Sequence, residues 1–108
     1  MSDQDHLDLT LEPDDGGRIA NLTGPFDAHL RQIEVRLGIE IRNRGNRFRL
    51  VGKRADTERA EAVLLNLFKQ TDNSLITTET VHLAMLEEGA IGADRNRDDS
   101  PLDRDEIV

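Results

Sequence analysis

Four arginines, Arg42, Arg44, Arg47 and Arg49, stand at alternate positions on either side of Gly45. Together with Lys53 and Arg54 they face a single acid, Glu40, in the stretch between Gly38 and Ala55. The chemistry such a cluster offers is phosphate contact, as in the backbone recognition of a nucleic acid. The same residues can equally form a solvated strand face whose charges pair with nearby carboxylates. No other constellation competes. His6, His29 and His82 are isolated, without the i, i+4 spacing of metal ligands on one helix. The absence of cysteine removes thiolate catalysis, disulfides and Cys-based metal sites together. Gly45 and Gly52-Lys53-Arg54 do not make a phosphate loop, because six residues intervene where four are needed and Arg54 stands where Ser or Thr belongs. Glu87 and Glu88 close a helical pattern and read as solvated, and no nucleophile can be paired with a base.

The arginines need a hairpin to hold them. Ile39-Glu40-Ile41-Arg42 and Arg47-Phe48-Arg49-Leu50-Val51 alternate apolar and polar residues around Asn43-Arg44-Gly45-Asn46. A two-residue turn at Arg44-Gly45 pairs Ile41 with Phe48 and Ile39 with Leu50, all four on the core face. It sets Glu40 opposite Arg49, a complementary pair, and Arg42 opposite Arg47, a repulsive one. An anion is therefore expected beside them, either Asp8 or Glu12 or a bound phosphate.

Leu7-Asp8-Leu9-Thr10-Leu11-Glu12 alternates in the same way and reads as a third strand ended by Pro13. Asp14 or Asp15 caps a short helix from about Arg18 to Thr23 with Ile19 and Leu22 inward. Gly24-Pro25 then opens a longer helix closed by Gly38, whose Phe26, Leu30, Ile33 and Leu37 form one apolar stripe. Asp56 caps a long helix carrying Ala60, Val63, Leu64, Leu67 and Phe68 on one face. Thr77 or Thr78 starts a last helix with Val81, Leu83, Ala84, Met85 and Leu86 before Gly89. These elements predict an α+β fold: a three-stranded antiparallel sheet covered on one face by three helices, with an extra C-terminal helix.

At 108 residues, 36% hydrophobic and 33% charged, the chain holds one small domain with a modest core. The net charge of -8 opposes nucleic-acid binding on its face, but the acids concentrate at the ends and the middle is basic. The first fifteen residues carry six acids and no Lys or Arg. Residues 1–5 and 90–108 are expected to be disordered, the latter as a charged linker without periodicity. The N-terminus lacks the basic start and apolar run of a signal peptide, and no apolar stretch approaches the roughly 20 residues of a membrane span. These features predict a cytoplasmic protein with no membrane partner.

The order strand, short helix, tight turn, helix, strand, basic turn, strand, long helix resembles a type I KH domain over residues 6–70. Arg18 to Gly24 lies where that family carries the helix leading into its G-x-x-G loop, and Gly24-Pro25-Phe26-Asp27 lies on the loop. The runs Arg18 to Glu34 and Gly38 to Asn46, with Val81-His82-Leu83-Ala84 in the additional helix of residues 75–89, are similar to the N-terminal domain of PhoH-like, phosphate-starvation-inducible P-loop ATPases. That resemblance implies an accessory domain preceding an ATPase, with residues 90–108 as the linker, and ATP and Mg bound by the ATPase rather than by this fragment. It also implies a role in RNA metabolism, through weak RNA contact or assembly, with its own ATPase domain, other subunits of a homo-oligomer or an RNA-processing enzyme as partners. The alternative is a protein-interaction or oligomerisation module without nucleic-acid binding. The loop itself departs from the KH pattern: Asp27 replaces the second glycine, Pro25 offers no N–H, and Asp27 in the first helical turn is an internal anion that repels phosphate. With Phe26, Phe48 and Phe68 all on apolar faces, base-stacking platforms are expected to be missing. RNA contact would then fall to Arg42, Arg44, Arg47 and Arg49.

Overall fold

The computed structural model describes residues 4–89. In chain order it contains β1 (Gln4–Thr10), α1 (Gly16–Thr23), a one-turn segment at Pro25–Asp27, α2 (Ala28–Leu37), β2 (Glu40–Arg44), β3 (Arg47–Lys53), α3 (Arg54–Gln70) and α4 (Thr78–Glu87). The expectations for residues 1–3 and 90–108 lie outside the described residues. Gln4 and Asp5, expected in a disordered end, belong to β1, paired with Lys53 and Gly52.

The sheet is antiparallel throughout, with β3 between β1 and β2. One face carries Leu9, Ile41, Phe48 and Leu50 into the core, joined by Ile39 and Leu11 just outside the strands. On it α3 packs against β1 and β3, and α2 against β2, while α1 and α4 fill the layer against α2 and α3. The α+β architecture is the one the alternation and helical stripes imply.

The hairpin register differs from the sequence expectation. Arg44 faces Arg47, Arg42 faces Arg49 and Ile41 faces Leu50, so the turn is Gly45-Asn46 rather than Arg44-Gly45. Gly45 takes the left-handed conformation at φ 59°, and Asn46 is tied to β1's end. Its carbonyl accepts from the Leu11 N–H at 2.9 Å, and its Nδ2 donates to the Leu11 carbonyl at 2.8 Å. Each residue's partner moves by two positions, an even step, so every side chain keeps its face and Ile39 and Ile41 remain buried.

The helices start and stop for local reasons. Asp15 caps α1, accepting from the Gly17 and Arg18 N–H groups at 3.0 and 3.2 Å. α3 grows directly out of β3 with extended Lys53 before it, and Asp56 sits inside its first turn instead of capping it. The broad apolar face of α3 is enclosed as the spacing predicts, from Ala60 through Phe68. Thr77 and Thr80 cap α4 reciprocally at 3.1 and 3.2 Å. Val81, Ala84 and Met85 of α4 are fully enclosed, whereas Leu83 and Leu86, expected inward, remain about half exposed. Asn21 of α1 clamps the α3–α4 connection, accepting from the Ile76 N–H and donating to the Ser74 carbonyl, each at 2.8 Å.

Candidate nucleic-acid interface

The sheet's second face has no covering element among the described residues. Strand pairing arranges its outward side chains in rows across β1, β3 and β2: Thr10, Arg47 and Arg44; Asp8, Arg49 and Arg42; His6, Val51 and Glu40. The register that replaced the expected one makes both arginine pairs cross-strand neighbours, where Cβ atoms lie about 5 Å apart. Neighbouring rows follow at about 7 Å along the strands, two residues on. All four arginines are exposed. A hollow of about 580 Å³ lies at the hairpin end, lined by Asp8, Thr10 and these arginines together with Leu9, Asn43 and Phe48.

The two rows differ in how their charge is met. Arg49 grips Asp8, and Arg42 folds back along its own strand to Glu40 at 2.7 Å. Among the described residues no ion pair engages Arg44 or Arg47. Asp8, expected beside Arg42 and Arg47, meets Arg49 instead, and, with the hairpin register shifted by two, Glu40, expected opposite Arg49, meets Arg42. The hydrogen bonds from Arg49 hold the Asp8 carboxyl below the ordinary aspartate range, and Asp8 in turn raises the Arg49 guanidinium. At the far end of the face Asp5 is lowered first by the His6 N–H and then by Arg54, which reaches it at 3.1 Å. By register five cations, Arg42, Arg44, Arg47, Arg49 and Lys53, share the face with Asp8 and Glu40, and Asp5 lines its far end beside His6 and Val51.

The second expected site, Gly24-Pro25-Phe26-Asp27, is a left-handed corner between α1 and α2. Gly24 has φ 79° and ψ 172°, a region open to glycine alone. Its Cα lies against the buried His29 ring, so closely that a Cβ would come within 2.7 Å of Nδ1. His29 Nδ1 stands 3.0 Å from the Leu22 carbonyl oxygen. Because a carbonyl only accepts, Nδ1 carries the proton and the ring is locked across the corner. Phe26 and Asp27 follow with φ 54° and 58°, and hydrogen bonds from the Asp27 N–H to the Gly24 carbonyl and from the Ala28 N–H to the Pro25 carbonyl close the turn.

This geometry corrects two expectations. Phe26 does not continue the α2 stripe: the left-handed turn delays the helix to Ala28 and leaves Phe26 95% exposed, while His29, Leu30, Ile33 and Leu37 form the buried face. An aromatic is therefore available at the corner after all. Asp27 is not in the first helical turn either. It precedes α2 in the left-handed conformation, and its side chain makes no capping bond. Proline and aspartate around an aromatic are turn residues, which is the one signal in the sequence for this corner.

The structure does not bring the two sites together. The corner touches only α1 and α2, in the helix layer, whereas the arginine rows point from the opposite face of the sheet. Among the described residues no group of three or more His, Asp or Glu side chains is placed to hold a metal ion. No helix among them is long and apolar enough to cross a membrane. No protein-family model matches the chain.

Proposed function

We propose that this chain is the KH-like N-terminal domain of a PhoH-like P-loop ATPase, acting in the cytoplasm, and that it contacts RNA weakly through the open face of its sheet. The observation that carries the reading is the Arg44–Arg47 row, cationic and without a carboxylate partner among the described residues, beside the Arg42–Arg49 row that Glu40 and Asp8 pair, on a chain of net charge -8. A purely solubilising face would disperse like charges rather than set two arginine pairs directly across from one another. The strand and helix order supports the KH-like assignment. ATP and Mg belong to the ATPase domain in this reading, and calorimetry of this fragment with Mg-ATP is expected to give no micromolar binding.

The test is RNA binding by anisotropy across a salt series. Each Arg→Ala change at Arg42, Arg44 or Arg47 should weaken binding alike for different sequences and lower the salt slope by about one. Unchanged affinity in the triple variant sinks the reading. One observation favours the competitor, a protein-contact or oligomerisation module: Phe26, an almost fully exposed aromatic on a fixed turn, has the form of an interface anchor. RNA binding that is absent at low salt gives that competitor the lead.

A further inference from the structure

The character of the arginine face narrows the kind of nucleic acid it suits, within the reading just proposed. Single-strand binders draw much of their affinity from aromatic side chains on which unstacked bases lie. No aromatic stands among the outward residues of the described strands. The outward residues of the three strands are His6, Asp8 and Thr10; Glu40, Arg42 and Arg44; and Arg47, Arg49, Val51 and Lys53. Phe48 and Phe68 are 2% and 5% exposed, and Phe26 belongs to the α1–α2 corner, which contacts no strand. A splayed single strand laid on this face would lose its own base stacking and gain none in return.

A double helix makes no such demand. Its bases stay stacked, and it presents closely spaced phosphates and, in RNA, 2′-hydroxyls to a surface that reads shape. The face supplies matching groups: long guanidinium donors in two adjacent cross-strand pairs, and the exposed Thr10 hydroxyl at the end of the uncompensated row. The hollow among them is partly open, and the one aromatic on its lining, Phe48, is 2% exposed and offers no ring face to a base. We infer that the open sheet face binds the backbone of double-helical RNA in preference to single-stranded RNA, with Arg44 and Arg47 as its principal phosphate contacts. Glu40 and Asp8 act as internal competitors that hold Arg42 and Arg49 until a phosphate displaces them.

Anisotropy with a labelled 16-base-pair RNA duplex and with each of its separated strands, over a salt series, tests this. The duplex should bind more tightly than either strand at every salt, with a slope of about 0.9 per phosphate contact against about 0.7 for a strand. Arg44→Ala with Arg47→Ala should lower the duplex slope by about two, and Phe26→Ala should leave duplex affinity unchanged. All three side chains are exposed, so the variants should keep the wild-type melting profile. Equal or tighter single-strand binding overturns the duplex preference; if that binding still falls with the arginine variant, the proposed RNA contact survives. Loss of duplex binding in Phe26→Ala also overturns it, because the contact then runs through the corner. Binding to neither species defeats both the preference and the RNA reading.

Discussion

Arg49 holds Asp8 by two bonds across the β1–β3 pair, Nε to Oδ1 at 2.9 Å and Nη2 to Oδ2 at 3.3 Å, while its other neighbour in the row is Arg42. The carboxylate occupies the donors that a phosphate would use. Asp8→Asn should therefore tighten RNA binding, because a phosphate no longer has to displace a carboxylate from Arg49. The same variant reads out in acid. The Asp8 carboxyl is lowered in the folded state, so its contribution to stability is full above the unfolded value, about 3.9, and is lost as pH falls through the lower folded value. Arg49, raised by the same contact, titrates far above neutrality and adds nothing to that window. Thermal melts between pH 5 and pH 2 should show a shallower acid decline in Asp8→Asn than in the wild type. Parallel curves would show that the pair contributes nothing in solution.

Phe26 stands in the left-handed region with its side chain almost wholly in solvent, so it carries backbone strain without a packing gain in the isolated domain. Phe26→Gly should stabilise the domain by about 1 kcal/mol in urea denaturation, less whatever glycine adds to the unfolded chain's entropy. Phe26→Ala, which keeps the strain, should be close to neutral. A clear loss in either variant would mean that the ring packs on the domain in solution.

Much of the fold was legible because period-two alternation and helical stripes report burial directly. Leu9, Ile41, Phe48 and Leu50, and Ala60 through Phe68, lie where those patterns put them. The hairpin register was not legible, since either turn keeps Ile41 inward. What chose between them was the pair of bonds between Asn46 and Leu11, thirty-five residues apart in the chain. The corner misled for a different reason. Phe26 fits the stripe by spacing, but a stripe assumes right-handed helical backbone, and two consecutive left-handed residues that are not glycine leave no periodic trace. Alternation puts the arginines on the face opposite Ile41 and Phe48, but only the packing of the helices shows that this face is uncovered and that Gly24 and Phe26 sit in the helix layer.

Asn21 ties α1 to the connection before α4 with both polar groups of its amide, alongside the bonds that Gln32 makes to Thr78 and Asn66 to Glu87 and Glu88. Asn21→Ala strips a partner from the Ile76 N–H, next to a side chain that is 4% exposed. An unsatisfied backbone group in such a place costs about 1–3 kcal/mol. Urea denaturation should show that loss, and hydrogen exchange should show faster opening across Ile76 to Met85 than in the sheet. Uniform protection across the domain would place the anchoring of α4 in its apolar face and its bonds to Gln32 and Asn66.

Gly24 and His29 form a coupled pair, and a double-mutant cycle separates the two reasons for the glycine. Gly24→Ala places a side chain at φ 79°, ψ 172°, where the backbone alone costs about 1–3 kcal/mol. It also drives a Cβ to within 2.7 Å of a buried imidazole that is held by the Leu22 carbonyl. The single variant should lose about 3 kcal/mol or more, the sum of strain and overlap. In a His29→Ala background the overlap vanishes and only the backbone cost remains. Gly24→Ala should therefore cost less in that background, with a coupling of about 1 kcal/mol or more between the sites. Strict additivity would mean that the ring does not rest on Gly24 in solution. The corner that presents Phe26 would then be held by the Asp27–Gly24 and Ala28–Pro25 hydrogen bonds without the imidazole beneath it.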